Sequence, residues 1–355
     1  MEPEPEPATP RCVVVLAPSG GAAALFPALT EQGVRRLREL LGLQVRLLPT
    51  ASLSGEALTP EARAADLNAA FGDSSVAVIV CTIGGDDCVR VLPHLDAELI
   101  RAHPKPLLGY SDITSLHLYL YNLGHVSLYG PALLTQFAIS GPGMHVYTAE
   151  SVRAAVLQPE RPFEVQASAQ FQDGYLPWGD DANLPLAKEL EPNPGWDWVG
   201  WERAAAVEGC LWGGCLEVLM CNLAARKYLP PGDSLGESLR GSVLFVETSE
   251  EFPSEYFVYS FFQSLGELGV LTAAAALLVG RPQTVCRGVS PSCGRDEYRT
   301  SQRAAVLRAV AEYCPAEHPL PVIFGLDFGH TDPQVVVCVP SAACLRRLRR
   351  ADAAT

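Results

Sequence analysis

A serine stands between a short apolar run and a helical pattern in the segment GYSDIT, residues 109–114. Serine is favoured at helix starts, and an acidic residue in the first turn suits the helix dipole, so Ser111 could simply cap the helix. The same kind of strand-to-helix turn exposes the nucleophile in several hydrolases. The local pattern therefore leaves two interpretations open, a helix cap and a catalytic hydroxyl.

Alternating strands and helices precede and follow this turn. The strand segments are near-continuous apolar runs, which is typical of strands buried on both faces of a parallel sheet. Strand, helix and strand in rotation predict an α/β fold whose parallel sheet is covered by helices. Ligands bind beyond the carboxyl ends of such strands, where the segments APSG, TIGGDD and GYSD fall. The predicted strands lie within residues 11–20, 43–49, 76–87, 105–112 and 126–133, and the helices within 24–43, 61–73 and 115–124.

Composition limits the classes of function. The chain has 355 residues, of which 48% are hydrophobic and 19% charged, as in globular proteins with filled cores. A net charge of -14 repels polyanions, so we expect no nucleic-acid partner. The longest apolar run, residues 270–280, is shorter than the ~20 residues that cross a bilayer. The 11 cysteines include no C-x-x-C pair, so we expect reduced thiols and no metal site.

The chain divides by composition into four parts. Residues 1–10, acidic and rich in proline, are predicted to be a disordered leader without the features of an export signal, which makes the cytoplasm the expected compartment. An N-terminal α/β domain is predicted over residues 11–157 and a C-terminal domain over 206–350. Residues 158–205 are predicted to be a linker with a functional loop because they are rich in proline, glycine and tryptophan.

Seven blocks of sequence together carry a resemblance to a known family. They occur in the order and with roughly the spacing of the LD-carboxypeptidase family of serine peptidases, and they are most similar to its microcin C immunity branch. The resemblance covers about residues 12–343 and implies an N-terminal unit of the flavodoxin or class I amidotransferase kind, a second α/β unit and an active site at their interface. The blocks are APSG, TIGGDD, GYSDITSLHLYLYNLG, LYGPAL, GCLWGGCLEVL, LFVETSEEFPSE and GLDFGHTDP.

The resemblance also implies roles for individual residues. Ser111 would be the nucleophile, His330 the general base and Glu247 the carboxylate that orients the imidazole. The backbone N–H groups of Gly85 and Asp112 would bind the oxyanion, and Gly84 would contact the substrate. No metal and no organic cofactor are implied, and family members are commonly homodimers.

Each of these residues also has a simpler explanation. Taken alone, Ser111 is more simply a helix cap, and Glu247 is easily confused with Glu250 or Glu251. His330 alone could be a core histidine, and His117 and His125 lie nearer to Ser111 in the sequence. The three proposed catalytic residues stand out because all of them fall at strand ends inside the family blocks.

The substrate class is less determined than the chemistry. Many cell-wall members have arginine where this chain has Ile83. They often have asparagine where this chain has Cys215, and we interpret Cys215 as a small buried residue. We predict a small peptide or peptide-nucleotide substrate, with one or more of Trp196, Trp198 and Trp201 stacking on adenine or, alternatively, packing the loop onto the domain interface. Other possibilities are a muropeptide substrate and an inactive relative that only binds a ligand.

Overall fold

The computed structural model describes residues 12–161, 164–201, 206–286 and 288–339, together with the backbone of residues 346–348. The predicted leader, residues 1–10, lies outside this part of the chain. The helices are α1 (Ala22–Leu25), α2 (Pro27–Leu41), α3 (Pro60–Gly72), α4 (Ala97–Ala102), α5 (Thr114–Asn122), α6 (Val146–Leu157), α7 (Leu216–Ala225), α8 (Leu235–Ser238), α9 (Glu255–Glu267), α10 (Val270–Ala273) and α11 (Arg295–Tyr313).

Strands are distributed over two larger and two smaller sheets. They are β1 (Cys12–Leu16), β2 (Gln44–Leu47), β3 (Val76–Cys81), β4 (Leu107–Gly109), β5 (Ser127–Tyr129), β6 (Gln170–Asp173), β7 (Glu191–Pro192), β8 (Asp197–Val199), β9 (Val207–Gly209), β10 (Leu211–Cys215), β11 (Val243–Glu247), β12 (Ala276–Gly280), β13 (Val322–Leu326), β14 (Thr331–Asp332), β15 (Val337–Val339) and β16 (Arg346–Leu348).

The N-terminal sheet has the strand order β15-β5-β4-β3-β1-β2, and β1 to β5 are parallel. The residues of β1 are all buried, as their unbroken apolar sequence predicts for a strand covered on both faces. The first long helix after the β2 strand begins as its sequence predicts. The Thr59 hydroxyl accepts a hydrogen bond from the backbone N–H of Ala62, and Pro60 occupies the first helical position of α3. The predicted parallel α/β arrangement is therefore confirmed.

The C-terminal sheet has the order β10-β11-β12-β13-β8, and its first four strands are parallel. Helices α9 and α11 pack against each other and share one apolar core with β11 to β13. The strand β8 pairs antiparallel with β13 at the edge of this sheet. The chain thus contains a second α/β unit of similar construction.

Two assignments from sequence differ from the structure. The segment predicted to be a linker, residues 158–205, contains the strands β6, β7 and β8, because β6 pairs with β14 and β8 with β13, both far away in the chain, while β7 pairs with β6. The last apolar run, predicted to belong to the second unit, forms β15 and pairs antiparallel with β5 of the N-terminal sheet. At β15 the chain returns from the C-terminal unit to the N-terminal sheet, so the first unit contains strands from both ends of the chain.

Candidate active site

Ser111 lies in a strained turn between β4 and α5. Its φ of 64° is in the left-handed region, which residues other than glycine rarely adopt and which costs about 1–3 kcal/mol. The Ser111 carbonyl accepts a hydrogen bond from the Thr114 hydroxyl (2.6 Å), and the same hydroxyl accepts one from the backbone N–H of Cys215 (3.0 Å). The end of β10 therefore holds this turn in place.

The hydroxyl of Ser111 faces a histidine of the second unit and does not cap the helix that follows. The N-cap positions of the turn at 111–113 and of α5 are occupied by Tyr110 and Ile113, not by Ser111. Its Oγ atom is 3.0 Å from Nε2 of His330, and Nδ1 of His330 is 2.7 Å from Oε2 of Glu247. These distances are within the reach of a nucleophile, a general base and an orienting carboxylate.

The carboxylate of Glu247 is buried at the end of β11 and makes a second contact that the sequence did not suggest. The Tyr129 hydroxyl donates a hydrogen bond to Oε1 of Glu247 (2.5 Å) and accepts one from the backbone N–H of Ser111 (3.2 Å). Tyr129 is fully buried at the end of β5. It therefore connects the backbone of the serine turn directly to the carboxylate that faces His330. In the sequence, the feature that could have pointed to Tyr129 is its position in the LYGPAL block.

The electrostatic surroundings of His330 favour its charged form. Burial on its own lowers the pKa of the imidazole, but the carboxylate of Glu247 and then that of Glu250 outweigh it and hold the pKa well above the usual value. Oε2 of Glu250 is 3.2 Å from His330 Nε2, the same nitrogen that faces Ser111. Glu250, considered only as a residue to be confused with Glu247, is thus a charged neighbour of the reacting atoms.

Gly84, predicted to contact the substrate, lies close to the side chain of Ser111. A Cβ atom placed on Gly84 would lie 2.8 Å from Cβ and 3.0 Å from Oγ of Ser111, and 3.4 Å from the backbone N of Asp112. Only glycine allows this approach. Gly85 is equally confined, since a Cβ there would lie 2.4 Å from the Ser19 hydroxyl oxygen. Gly84 thus approaches both the Ser111 side chain and the backbone N of Asp112, whereas the close neighbours of Gly85 are Ser19 and Gly20.

Asp112 directs its side chain away from the triad into a buried hydrogen-bond network. Its Oδ2 accepts hydrogen bonds from the Ser19 hydroxyl (2.5 Å) and the backbone N–H of Cys88 (2.8 Å). Burial raises the pKa of the Asp112 carboxyl, and these two donors oppose the rise. The carboxylate thereby joins the APSG and TIGGDD segments to the serine turn. The backbone N–H of Asp112 is the part that we consider for oxyanion binding.

The two alternative histidines, His117 and His125, are buried in the N-terminal unit. Both ring nitrogens of His117 are used, by the Ser127 hydroxyl (2.8 Å) and by the Gly109 carbonyl (2.9 Å), and burial lowers the pKa of His117 to about 4. His125 is also buried, and burial lowers its pKa as well. Neither histidine contacts Ser111 among the described hydrogen bonds. Cys215, 1% exposed, is the small buried residue that its sequence context suggested.

The three clustered tryptophans pack on the C-terminal sheet. Trp201 is 4% exposed, and its ring contacts that of Trp198 at 4.9 Å between centroids. Trp196 packs at 6.4 Å from Trp198 and donates a hydrogen bond from Nε1 to Oδ2 of Asp327 (3.0 Å). None of the contacts described for these rings is with Ser111 or His330. The polar segment that carries them includes β8, which pairs with β13.

A different aromatic group, which includes Trp178, packs in the N-terminal unit near Ile83. Trp178 packs at 5.6 Å from Phe26 and 6.0 Å from Tyr175, and it belongs to a small apolar cluster with Ile83, the residue before Gly84. Trp178 is not among the residues predicted from sequence, although a tryptophan in the loop DGYLPWGDD is a comparable signal. Its cluster includes Ile83, which directly precedes Gly84.

Within residues 12–161, 164–201, 206–286 and 288–339, no group of three or more His, Cys, Asp or Glu side chains is arranged to hold a metal ion. No helix in the described part of the chain has the length and apolar character needed to span a membrane.

Comparison with known proteins identifies the family. Residues 13–130 match the LD-carboxypeptidase N-terminal domain and residues 208–345 the LD-carboxypeptidase C-terminal domain. The chain is 26% identical to the microcin C7 self-immunity protein MccF of Escherichia coli, covering 79% of this chain and 74% of MccF. It is 28% identical to a probable murein peptide carboxypeptidase of Bacillus subtilis, covering 86% of this chain and 81% of that protein.

A solved structure supports the same relationship. The MccF-like protein from Streptococcus pneumoniae in complex with AMP superposes with a TM-score of 0.81 and 25% identity, covering 96% of each chain. The predicted two-unit α/β fold is thereby confirmed. The chain belongs to the LD-carboxypeptidase family, near the microcin C immunity proteins, and is a serine-type carboxypeptidase, a hydrolase.

Proposed function

We propose that Ser111, His330 and Glu247 form the catalytic triad that hydrolyses an amide bond next to the C-terminal group of a small substrate. The observation that carries this proposal is the continuous chain of contacts, 3.0 Å from Ser111 Oγ to His330 Nε2 and 2.7 Å from His330 Nδ1 to Glu247 Oε2. It joins groups from two units that are far apart in the sequence.

The reaction follows from this geometry. Oγ of Ser111 attacks the substrate carbonyl carbon while His330 Nε2 accepts the hydroxyl proton. The negative charge on the carbonyl oxygen is stabilised by the backbone N–H groups of Gly85 and Asp112, and one such donor is worth about 3 kcal/mol in the transition state. His330 then returns the proton to the leaving nitrogen as the amide bond breaks. Water, activated by the same imidazole, hydrolyses the acyl-enzyme and regenerates Ser111.

The substrate that we propose is a peptidyl or aminoacyl nucleotide conjugate. The Streptococcus pneumoniae relative was crystallised with AMP, and in this chain Trp178 packs against the same apolar cluster as Ile83, the residue before Gly84. Base stacking on an aromatic side chain is typically worth ~1–3 kcal/mol. We assign this role to Trp178 in preference to Trp196, Trp198 or Trp201, because Trp178 shares this cluster with Ile83, whereas the other three rings pack in the C-terminal core.

A binding experiment separates the two tryptophan groups. The affinity for a nonhydrolysable aspartyl adenylate analogue would be measured for the wild type, for Trp178→Ala, and for a double variant carrying Trp198→Ala and Trp201→Ala. We expect Trp178→Ala to weaken binding about tenfold, the loss of one stacking contact, and the double variant to bind normally if it is folded. Weakening confined to the folded double variant would return the role to the 196–201 segment.

A second candidate substrate is a muropeptide with an L,D-amide bond, since the Bacillus subtilis relative is named a murein peptide carboxypeptidase. Turnover of a wall-derived tetrapeptide and of an aminoacyl-adenylate conjugate would be compared side by side, with Ser111→Ala as the blank. Cleavage of the tetrapeptide alone would favour the muropeptide. If neither substrate is cleaved and a fluorophosphonate probe fails to label Ser111, the chain is a ligand-binding relative without peptidase activity.

We also propose that the protein acts in the cytoplasm as a homodimer. Light scattering during gel filtration distinguishes a dimer of the 38.1 kDa chain from a monomer. A single species of monomer mass at micromolar concentration would contradict the dimer.

A further inference from the structure

The loop between β11 and α9, residues 248–254, carries Glu250 to the reacting atoms. Oε2 of Glu250 is 3.2 Å from Nε2 of His330, the nitrogen that faces Ser111. Burial lowers the pKa of His330, and the carboxylates of Glu247 and Glu250 more than reverse this effect. The side chain of Glu250 is 46% exposed, so its own packing does not fix its position. The backbone of the loop must therefore hold this carboxylate beside the imidazole.

Glu217, in the first turn of α7, holds the backbone on both sides of Glu250. Its Oε1 accepts hydrogen bonds from the backbone N–H (2.9 Å) and from the hydroxyl (2.7 Å) of Ser249. The Ser249 hydroxyl oxygen in turn accepts a hydrogen bond from the backbone N–H of Glu251 (3.3 Å). The residues before and after Glu250 are thus attached to one carboxylate oxygen, the first directly and the second through a hydroxyl.

The surroundings of Glu217 make these attachments firm. Ser249 is 7% exposed, so water competes little for its hydrogen bonds, and the Cys215 thiol donates to Oε2 of Glu217 at 3.2 Å. Burial and then the charge of Glu247 raise the pKa of the Glu217 carboxyl, and the Ser249 hydroxyl opposes the rise. Tyr298 also faces Glu217, because burial and then the Glu217 charge raise the pKa of Tyr298. The interaction with Glu247 gives Glu217 a second route to the site, by charge alone, which an experiment must separate from the hydrogen bonds.

The far end of the loop is anchored independently on α11. The Pro253 carbonyl accepts hydrogen bonds from Nε2 of Gln302 (2.9 Å) and from the Tyr298 hydroxyl (3.1 Å). Phe252 has a φ of 52°, in the left-handed region that residues other than glycine rarely adopt, and the Ser254 hydroxyl caps α9. The loop is therefore fixed at its junction with α9, and Glu217 supplies the attachments that flank Glu250.

We propose that Glu217 is a positioning residue for the hydrolysis, which holds the 248–254 loop so that the carboxylate of Glu250 stays beside His330. This role needs a hydrogen-bond acceptor and not a charge, because Glu217 acts through Ser249. Glutamine should therefore replace Glu217, since its amide oxygen accepts the same two hydrogen bonds, whereas alanine should not. The inference rests on the proposed catalytic function of Ser111 and His330.

The rate of fluorophosphonate labelling of Ser111 as a function of pH reports the pKa of His330 in the full-length protein. Labelling requires a neutral imidazole, so it appears as pH rises through that pKa. The other titratable groups that face His330 stay in place in every variant below that retains Glu250, and they are Glu247, Tyr110 and Asp332.

Two substitutions of Glu217 separate the hydrogen bonds from the charge. In Glu217→Ala the carboxylate of Glu250 is released from His330, and we expect the acidic limb of labelling to move to lower pH by up to about one unit. In Glu217→Gln the limb should stay at the wild-type pH. Glu255→Ala is the matched control, because Glu255 is an exposed carboxylate in the first turn of α9, and its limb should not move.

A double variant tests whether the effect passes through Glu250. If it does, Glu217→Ala combined with Glu250→Gln should show the same acidic limb as Glu250→Gln alone, because the two changes act on one interaction. Folding would be checked by melting temperature. If Glu217→Ala fails to fold, Ser249→Ala removes the bridging hydroxyl and should move the limb in the same direction by a smaller amount.

Three results would each overturn the role of Glu217 while labelling of Ser111 persists. They are an unmoved limb in the folded Glu217→Ala or Ser249→Ala variant, an equal shift in Glu217→Gln, and additive shifts in the double variant. Absence of labelling in the wild type at every pH would contradict the proposed catalytic function, and this role with it.

Discussion

The two α/β units hold the residues of the proposed triad under different physical constraints. The N-terminal unit holds Ser111 in a left-handed backbone conformation, with a φ of 64°. In the C-terminal unit neither Glu247 nor His330 has a positive φ, but both side chains are almost completely withdrawn from solvent, at 1% and 6% exposure. The nucleophile is thus positioned at a cost in backbone energy, and the base at a cost in desolvation.

Backbone strain at Ser111 and burial of Glu247 and His330 predict different responses to substitution. A change at the serine turn should appear in the stability of the folded chain as well as in activity. A change around the histidine should appear in the dependence of activity on pH. The following variants test that distinction, beginning with the largest expected effect.

Replacing Ser111 should produce the largest loss of activity. Ser111→Ala removes the nucleophile, and we expect kcat to fall by at least ~10⁴-fold, as in other enzymes whose triad serine is removed. Turnover of the best conjugate and labelling by a fluorophosphonate would both be measured. Residual turnover within about tenfold of the wild type would contradict the role of Ser111.

The same position should also reveal backbone strain. Glycine adopts positive φ without a steric penalty, so Ser111→Gly should be more stable than Ser111→Ala by about 1 kcal/mol. At Ser260, within the right-handed helix α9, the order should reverse, because glycine is less stable than alanine there by about 1 kcal/mol. Thermal unfolding of the four variants measures both differences. The same order at both positions would show that the turn is not strained.

Removing the charge of Glu247 should have the next largest effect. Glu247→Gln keeps the shape of the side chain but cannot stabilise the imidazolium of His330, and we expect kcat to fall about 10³- to 10⁴-fold. Glu251→Gln is the matched control, because Glu251 is exposed on the same loop, and its effect should stay within about twofold. Steady-state kinetics at constant pH would show the contrast, and equal losses in both variants would contradict it.

Tyr129 contacts both the serine turn and Glu247, and its substitution should have an intermediate effect on activity. Tyr129→Phe removes the donor to Glu247 and the acceptor for the Ser111 N–H, and we expect kcat to fall about tenfold with little change in KM. Without this donor the negative charge on Glu247 is less stabilised and interacts more strongly with His330. The pKa of His330 should therefore rise, and the acidic limb of the pH–activity profile should move to higher pH. Tyr119→Phe, at a partly exposed ring, is the control. An unchanged pH profile would mean that Tyr129 only fills space.

Glu250 should have the smallest effect, and it should be visible in the pH profile. The base must be neutral to accept the serine proton, so activity appears as pH rises through the pKa of His330. Glu247 and Glu250 raise that pKa, whereas burial lowers it; the other groups facing the ring are Tyr110 and Asp332. Glu250→Gln should therefore lower the pKa and move the acidic limb down by up to about one unit.

The rate of fluorophosphonate labelling as a function of pH measures this shift without knowledge of the substrate. The Glu251→Gln variant again serves as the control, since its carboxylate is not among the groups that shift His330. An acidic limb at the same pH in the wild type and in Glu250→Gln would show that the carboxylate of Glu250 does not act on His330 in solution.

Local sequence determined the elements of the fold and the residue types of the site. The apolar run at β1 and the cap at Thr59 specify a buried strand and a helix start through contacts within a few residues. Ser111, Glu247 and His330 could be selected because each lies at a strand end in a recognisable block. These features depend on short-range preferences, which a single sequence displays directly.

Only the tertiary structure decided which distant segments meet. It assigned β15 to the N-terminal sheet and β8 to the edge of the C-terminal sheet, and it buried Trp201 instead of exposing it to a ligand. It also placed the Tyr129 hydroxyl between Ser111 and Glu247. Strand pairing and side-chain packing between remote segments depend on the arrangement of the whole chain, and the pattern of neighbouring residues does not encode them.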